Sequence, residues 1–297
     1  MWHWGPVENE WIVTVPGRAT LAAHADVEPG LPACCPFCPL FTSPDDRIKV
    51  VRSKYPLVPP STTTARPEID NHVVLVYSSS HEERLGDLPP DHVREILDIV
   101  GDRTDRLLET PGVESVCVFE AYGDYFGPTV PHPHMQLIAL PFSPRALTID
   151  NQDGCMLCKK KPDTLLVVDG ACVSTHVPQW ARLPFEVTIT PKRHLSTLSQ
   201  ATTAELDELA EQLTAVLVAY RRQAGGRTPY VLAVMQAPRA DGEAHHLRIE
   251  VLPIHKPDGT HKRAGGIEVM YGIYVNPTLP DVAAEMIRRE IPAKEEL

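Results

Sequence analysis

The chain has 297 residues, 43% of them hydrophobic and 23% charged, which is typical of a soluble globular protein with one large domain or two medium ones. The formal net charge of −11 argues against non-specific binding to nucleic acid or to anionic membranes. The sequence contains no apolar run long enough to span a bilayer and no recognisable signal peptide, so we expect a cytoplasmic protein. Its seven cysteines are then better interpreted as metal ligands or core residues than as disulfides.

The first half of the chain combines a cysteine pair with one helix and three strands. Apolar residues at helical spacing predict the helix, and β-rich runs predict the strands. These elements are, in order, Cys35-Pro36-Phe37-Cys38, a strand at 71–77 followed by His81, a helix around 93–100 with Asp91 as its cap, and strands at 115–120 and 132–140.

The second half repeats this order of elements. They are Cys155-Met156-Leu157-Cys158, a strand at 184–190 followed by His194, a helix at 206–220 with Thr202 or Thr203 as its cap and Gly225-Gly226 at its end, and strands at 230–235 and 246–252. The alternative is a coincidence among common αβ patterns. Because four features keep their order and nearly their spacing, we predict an internal duplication into halves at 1–150 and 151–297.

Each half offers two cysteines and two histidines, the ligand set of a tetrahedral zinc site. The first set is Cys35, Cys38, His81 and His132, and the second is Cys155, Cys158, His194 and His246. Four protein ligands close the coordination sphere, so both ions are expected to be structural rather than catalytic. Cys117 and Cys172 are interpreted as core residues.

Two of these ligands have a neighbour that competes for the role. His245 is adjacent to His246, but strand parity, counted back from Pro253 as His134 is counted from Pro141, puts His246 on the functional face. The same count places Arg248 where the first half has Gln136, which favours one active site per chain. Cys34 competes with Cys35, and the C-x-x-C spacing favours Cys35.

His132, His134 and Gln136 alternate along one predicted strand and therefore share a face. A neutral imidazole can attack phosphorus when its other nitrogen holds the proton, and Gln136 can donate to a phosphoryl oxygen. His134 is the predicted nucleophile. The alternative is that both histidines are metal ligands.

The stretch from Phe119 to Gln136, with its Pro131-His132-Pro133-His134-Met135-Gln136 core, resembles the active-site signature of galactose-1-phosphate uridylyltransferases, a branch of the histidine triad superfamily. The resemblance extends over nearly the whole chain. The second cysteine pair is similar to the two-zinc members, which include ADP-glucose phosphorylase. The resemblance implies an α+β fold in which two histidine-triad-like halves form one antiparallel half-barrel sheet with flanking helices, and a homodimer.

The implied activity is nucleotidyl transfer between a nucleotide-sugar and a sugar 1-phosphate by a ping-pong reaction through His134. Alternatives are a nucleotide-sugar phosphorylase or hydrolase with the same intermediate, and a degenerate zinc-stabilised nucleotide-binding protein. The substrate-binding positions that the resemblance implies are Arg18, Ser53, Lys54, Tyr55, Ala121, Gly127, Thr129, Gly266 and Glu268.

Several of these positions depart from the family pattern. Ala121 stands where the family usually has an asparagine that contacts a phosphate, Ser53 stands where it usually has asparagine, and Thr129 stands where it usually has serine. Thr129 keeps a hydroxyl, whereas Ala121 cannot replace an amide. A variant nucleotide, sugar or acceptor is therefore considered beside the uridylyltransferase reaction.

Overall fold

The computed structural model describes residues 2–5, 10–15, 35–43, 46–57, 71–123, 128, 130–147, 155, 157–159, 163–239 and 244–297. Arg18, Cys34, Gly127, Thr129 and the expected boundary near residue 150 lie outside these ranges. In the described part of the chain, no helix is long and apolar enough to cross a membrane.

Eleven strands and four α-helices are seen in the described residues. The strands are β1 (Trp2–Gly5), β2 (Glu10–Val13), β3 (Lys49–Arg52), β4 (His72–Val76), β5 (Ser115–Tyr122), β6 (His134–Leu140), β7 (Leu166–Asp169), β8 (Val173–His176), β9 (Val187–Pro191), β10 (Tyr230–Met235) and β11 (Arg248–Pro253). The helices are α1 (Pro90–Leu108), α2 (Thr203–Gln223), α3 (Gly266–Tyr271) and α4 (Pro280–Glu290).

The fold is α+β, built on one nine-stranded antiparallel sheet. Its strand order is β3-β4-β6-β5-β10-β11-β9-β8-β7, and β1 and β2 form a separate two-stranded sheet. Strands of the first half occupy one side of the sheet and strands of the second half the other. The two sides meet where β5 pairs with β10, from Tyr122 opposite Tyr230 to Val118 opposite Val234.

The pairing registers of the two sides follow one constant spacing. Gln136 lies opposite Phe119 and Val74, and Glu250 lies opposite Ala233 and Thr188. Each residue of the second trio is 114 positions after its counterpart, as in 250 − 136. The two prolines that close these strands, Pro141 and Pro253, are only 112 residues apart (253 − 141). They therefore do not hold equivalent positions in the two sides of the sheet. The duplication itself stays a prediction, and these registers are what it would produce.

Helices α1 and α2 pack on one face of the sheet, and the side chains of that face form the core. Along β5, Val116 and Val118 are buried on the helix side, whereas Cys117, Phe119 and Ala121 are only half-buried on the other face. We call the second face the open face. Cys117 therefore lies on the open face and not in the core, and Cys172 is half-buried against the edge of the core.

The helix ends separate one correct capping prediction from one that is wrong. Of the two threonines predicted as the cap of α2, Thr202 is the cap, and its side chain accepts from the backbone N–H of Glu205 in a capping box. Asp91 does not cap α1. That helix begins at Pro90 with Pro89 at the cap position, because proline needs no backbone donor there and its fixed φ suits the first turn.

Two histidines predicted on strands lie just before them. β6 begins at His134 and β11 at Arg248, so His132 and His246 precede their strands. Their positions still place both side chains within reach of the cysteine pairs, as described below.

Candidate active site and metal centres

The first cluster brings together the four residues predicted as its ligands. Single ligand atoms of Cys35, Cys38, His81 and His132 all lie within 4.8 Å of one another. Nδ1 of His132 is 3.5 Å from both sulfurs, and Nδ1 of His81 is 3.7 Å from the Cys38 sulfur. Tetrahedral zinc with ordinary Zn–S and Zn–N bonds places such ligand atoms about 3.5 Å apart. The donor set and its spacing therefore fit a metal ion.

The second cluster has the same construction, with Cys155, Cys158, His194 and His246 within 4.8 Å of one another. Nδ1 of His246 is 3.3 Å and 3.4 Å from the two sulfurs, and Nδ1 of His194 is 3.3 Å from Cys158. His245 is outside the cluster. Burial lowers the pKa of His245 to about 4, and its Nε2 faces the guanidinium of Arg248 at 3.4 Å.

Each cluster is anchored from outside by one backbone carbonyl. Nε2 of His132 donates to the Ser78 carbonyl at 2.8 Å, and Nε2 of His246 donates to the Pro191 carbonyl at 3.0 Å. Such a bond fixes the tautomer that leaves Nδ1 as a ligand atom and raises its basicity. Burial raises the pKa of the Cys38 thiol to about 11, so metal uptake at neutral pH would release its proton.

His134 lies at the start of β6, beside the first cluster and on the open face. Its Nδ1 donates to the carbonyl oxygen of His132 at 2.8 Å, and its ring stands edge-on to Phe37 with 5.3 Å between centroids. Burial holds the pKa of His134 below its usual value, so the ring is neutral at pH 7. Because Nδ1 holds the proton, Nε2 carries the free lone pair of a nucleophile.

Gln136 follows two residues later on the same face of β6. Its side-chain oxygen is 2.9 Å from Nε2 of His72, which is almost fully buried on β4. His72 was not among the site residues predicted from the sequence. It could have been recognised as the one polar residue of an otherwise apolar strand. The two-residue period of the strand also places it on the same face as the site.

The predicted substrate segment at 53–55 lies next to this pair. The Ser53 N–H donates to the His72 carbonyl at 2.9 Å, and the Tyr55 N–H donates to the Ser53 hydroxyl at 3.3 Å. Lys54 stands over the Tyr55 ring at 5.5 Å. The structure therefore brings Ser53 to the strand that also contacts Gln136.

The other predicted substrate-binding positions that the structure describes do not lie beside His72 and Gln136 in this way. Ala121 lies on the open face of β5, opposite Val231. Gly266 opens α3, and the Glu268 carboxylate accepts from Lys262 at 2.7 Å and from the Val275 N–H at 3.0 Å. These bonds hold the Glu268 carboxylate within its own segment and lower its pKa to about 2.

The second half has no histidine at the place of His134. With the spacing of 114, Arg248 occupies the position of His134, and Glu250 occupies that of Gln136. The count from the prolines, which put Arg248 at the Gln136 position, is therefore corrected. The Arg248 Nε donates to Glu250 at 2.7 Å, and Arg182 donates to Glu250 at 2.8 Å and to Glu186 at 2.7 Å. A neutral ion-pair network thus stands where the first half has His134 and Gln136.

Proteins similar to this chain include galactose-1-phosphate uridylyltransferases and an ADP-glucose phosphorylase. A sequence profile of galactose-1-phosphate uridyl transferase N-terminal domains matches residues 63–144. A galactose-1-phosphate uridylyltransferase of Thermotoga maritima is 28% identical over 230 residues, 72% of each chain. A solved uridylyltransferase structure superposes with a TM-score of 0.84 at 27% identity, over 98% of each chain.

The homologues of this chain thus include galactose-1-phosphate uridylyltransferases at 27–28% identity. The chain is also similar to ADP-glucose phosphorylase of Arabidopsis thaliana, with 24% identity over an alignment of 325 positions that covers 95% of this chain and 91% of that protein. The family resemblance found in the sequence is thereby confirmed, as is the α+β fold with flanking helices.

Proposed function

We propose that this chain transfers a nucleoside monophosphate from a nucleotide-sugar to a phosphate-bearing acceptor through a nucleotidyl intermediate on His134. The observation that carries the proposal is the 2.8 Å bond from Nδ1 of His134 to the His132 carbonyl. This bond fixes the tautomer in which Nε2 is unprotonated. It also stabilises the positive charge that the ring gains when Nε2 is bonded to phosphorus.

In the first step, the Nε2 lone pair of His134 attacks the α-phosphorus of the nucleotide-sugar. The bond from that phosphorus to the bridging oxygen breaks, and its electron pair leaves with the sugar 1-phosphate. In the second step, an oxygen of the acceptor phosphate attacks the same phosphorus, and the phosphorus–nitrogen bond breaks. The proton on Nδ1 stays in place throughout, so neither step needs a base to deprotonate the ring, and no atom changes its oxidation state.

Gln136 is the proposed donor to the phosphoryl group. It stands on the same face of β6 as His134, two residues further along. A donor aimed at a non-bridging oxygen is stabilising as charge builds up there, and removing such a donor reduces kcat by about 100- to 1000-fold in well-studied cases.

The acceptor defines two candidate reactions. A sugar 1-phosphate as acceptor would make the chain a hexose-1-phosphate uridylyltransferase-like enzyme, and inorganic phosphate would make it a phosphorylase. The second candidate is supported by the match to ADP-glucose phosphorylase, which spans 95% of this chain and 91% of that protein. Water as the acceptor would give a hydrolase.

Two zinc ions are proposed as structural cofactors, held by Cys35, Cys38, His81 and His132 and by Cys155, Cys158, His194 and His246. Each set supplies four protein ligands and leaves no open position for substrate. When bound, the first ion ties the loop of the cysteine pair to the residues just before His134. The His132 carbonyl oxygen, which accepts the hydrogen bond from Nδ1 of His134, is thereby fixed in place.

A homodimer is the proposed assembly. Thirteen large hydrophobic residues are exposed in the described part of the chain, and nine of them lie between residues 267 and 282. Met270 and Tyr271 are 75% and 78% exposed. An apolar patch of this kind is characteristic of an interface.

Intact-mass measurement tests the proposed function. The protein is incubated with UDP-glucose or ADP-glucose, with and without phosphate, and the added mass identifies the nucleotide. His134→Gln should give no adduct. The control is His92→Gln on α1, which replaces a buried histidine outside the site whose Nδ1 accepts from Arg47.

An adduct that survives His134→Gln would refute the proposed nucleophile. Nucleotide binding by the wild type with no adduct and no turnover would identify the degenerate binding protein instead. Phosphate-dependent loss of the adduct distinguishes a phosphorylase from a transferase, and loss in buffer alone indicates a hydrolase.

A further inference from the structure

We infer that His72 is a positioning residue whose imidazole orients the Gln136 amide, so that the NH2 group and not the carbonyl oxygen faces the phosphoryl group at His134. The inference rests on the proposed function, because it assigns the direction in which Gln136 donates. It concerns a buried histidine that is neither a metal ligand nor the nucleophile.

The tautomer of His72 follows from its backbone partner. The Leu57 N–H lies 3.3 Å from Nδ1 of His72 and can only donate. Nδ1 must therefore be the unprotonated nitrogen, and in a neutral ring the proton is then on Nε2. The charged ring would carry a proton on Nδ1 as well, so this contact also requires the neutral ring.

The orientation of Gln136 follows from that tautomer. Nε2 of His72 carries a hydrogen and faces the Gln136 side chain at 2.9 Å. An amide has one acceptor, its oxygen, so the oxygen must be the atom that faces His72. The reverse orientation would place two N–H groups against each other. The NH2 group consequently points away from His72 and is available to donate to a phosphoryl oxygen.

The same residue also fixes the segment at 53–57. The His72 carbonyl accepts from the Ser53 N–H at 2.9 Å, and its ring accepts from the Leu57 N–H at 3.3 Å. His72 thus binds both ends of a segment proposed to contact substrate, and its Nε2 also donates to the Gln136 side chain. Movement of this segment would change the position of the ring that sets the amide.

His72 and His134, which open β4 and β6, therefore have opposite hydrogen-bonding roles. His134 holds its proton on Nδ1 and presents Nε2 as a lone pair, while His72 holds its proton on Nε2 and presents it to Gln136. Backbone groups set both tautomers, a carbonyl for His134 and an N–H for His72.

A double-mutant cycle tests the inference, with the single-turnover rate of adduct formation from UDP-glucose and ADP-glucose as the readout. Gln136→Ala should lower this rate on the order of 100-fold, because one phosphoryl donor is lost. His72→Phe should lower it about 10-fold or more, and should have no further effect in the Gln136→Ala background. His92→Phe is the matched control and should leave the rate unchanged.

Two conservative variants separate positioning from a structural role. His72→Gln supplies an amide donor near the place of Nε2 and should recover part of the rate. Gln136→Glu keeps an acceptor for His72 but has no donor, so it should be as slow as Gln136→Ala. A loss caused by His72→Phe that is equally large with and without Gln136 would overturn the inference, as would a fast Gln136→Glu variant.

A measurement that needs no turnover keeps the inference separate from the proposed function. Long-range 1H–15N spectra of the wild-type protein should show His72 protonated on Nε2 and unprotonated on Nδ1. A proton on Nδ1 would refute the positioning role even if the adduct forms. If no nucleotide-sugar gives an adduct in the wild type, the proposed function fails, and the spectra still decide the tautomer of His72.

Discussion

His132 and His246 hold the same place in the two halves of the chain. They are 114 residues apart (246 − 132), each turns Nδ1 toward two cysteine sulfurs, and each donates from Nε2 to a backbone carbonyl, of Ser78 and of Pro191. Two residues after His132 comes His134, whereas two residues after His246 comes Arg248. Both Cys2His2 clusters thus share this construction, but only the first is followed by a second histidine at this spacing.

Metal content is the first prediction. Elemental analysis of the purified chain should give two zinc ions per chain, and Cys38→Ser should give one, because three ligands bind zinc much more weakly than four. Cys38→Ser should also lower the melting temperature, since structural zinc contributes directly to folding free energy. The control is Cys117→Ser, a half-buried cysteine outside both clusters, which should keep two ions. Two ions in Cys38→Ser would contradict the assignment.

The second prediction concerns the buried carboxyl of Glu120. Tyr77 donates to it at 2.6 Å and Tyr230 at 3.2 Å, and burial raises its pKa to about 7. A carboxyl with a raised pKa is stabilising when protonated. Its contribution is fully present below its unfolded pKa, near 4.5, and is lost as the pH rises to 7.

Glu120→Gln isolates this contribution from the effect of pH on the metal ligands. The free energy of unfolding of wild type minus that of Glu120→Gln should fall by up to about 3 kcal/mol between pH 4.5 and pH 7. Denaturant titrations at several pH values measure it. A difference that stays constant, or that grows with pH, would show that Glu120 is ionised in the folded chain.

Ala121 provides the third prediction. The family usually has an asparagine here that contacts a phosphate, and a hydrogen bond to a charged group contributes about 1.5–3 kcal/mol. If the phosphates bind as in those relatives, Ala121→Asn should lower the dissociation constant of the nucleotide-sugar by roughly 10- to 150-fold. Calorimetric titration checks this, with Ala121→Leu as a control of similar size. An unchanged affinity would mean that the phosphates lie elsewhere.

The fourth prediction concerns the exposed apolar patch between residues 267 and 282. Sedimentation should give twice the chain mass for the wild type at micromolar concentration. Met270→Glu combined with Tyr271→Glu should shift the protein toward the monomer, because burying a charge in an apolar contact is costly. Met270→Leu keeps the apolar surface and should remain dimeric. A wild-type monomer would refute the homodimer.

The sequence by itself determined the residues of both Cys2His2 clusters, the face that His134 and Gln136 share, and a threonine cap of α2 at position 202 or 203. Each depends on local rules: the C-x-x-C spacing, the two-residue period of a strand, and the capping box. These rules act within a few residues, so they can be applied without knowing which segments meet.

Only the tertiary structure decided which positions of the two halves correspond and what holds the site residues in place. Register is set by pairing between distant strands, and it placed Arg248 at the position of His134 where the closing prolines suggested otherwise. The contact of His72 with Gln136 joins residues 64 apart in sequence. The backbone carbonyls of His132, Ser78 and Pro191 could not be predicted from the sequence, because every residue has such a group. The path of the backbone alone determines where they point.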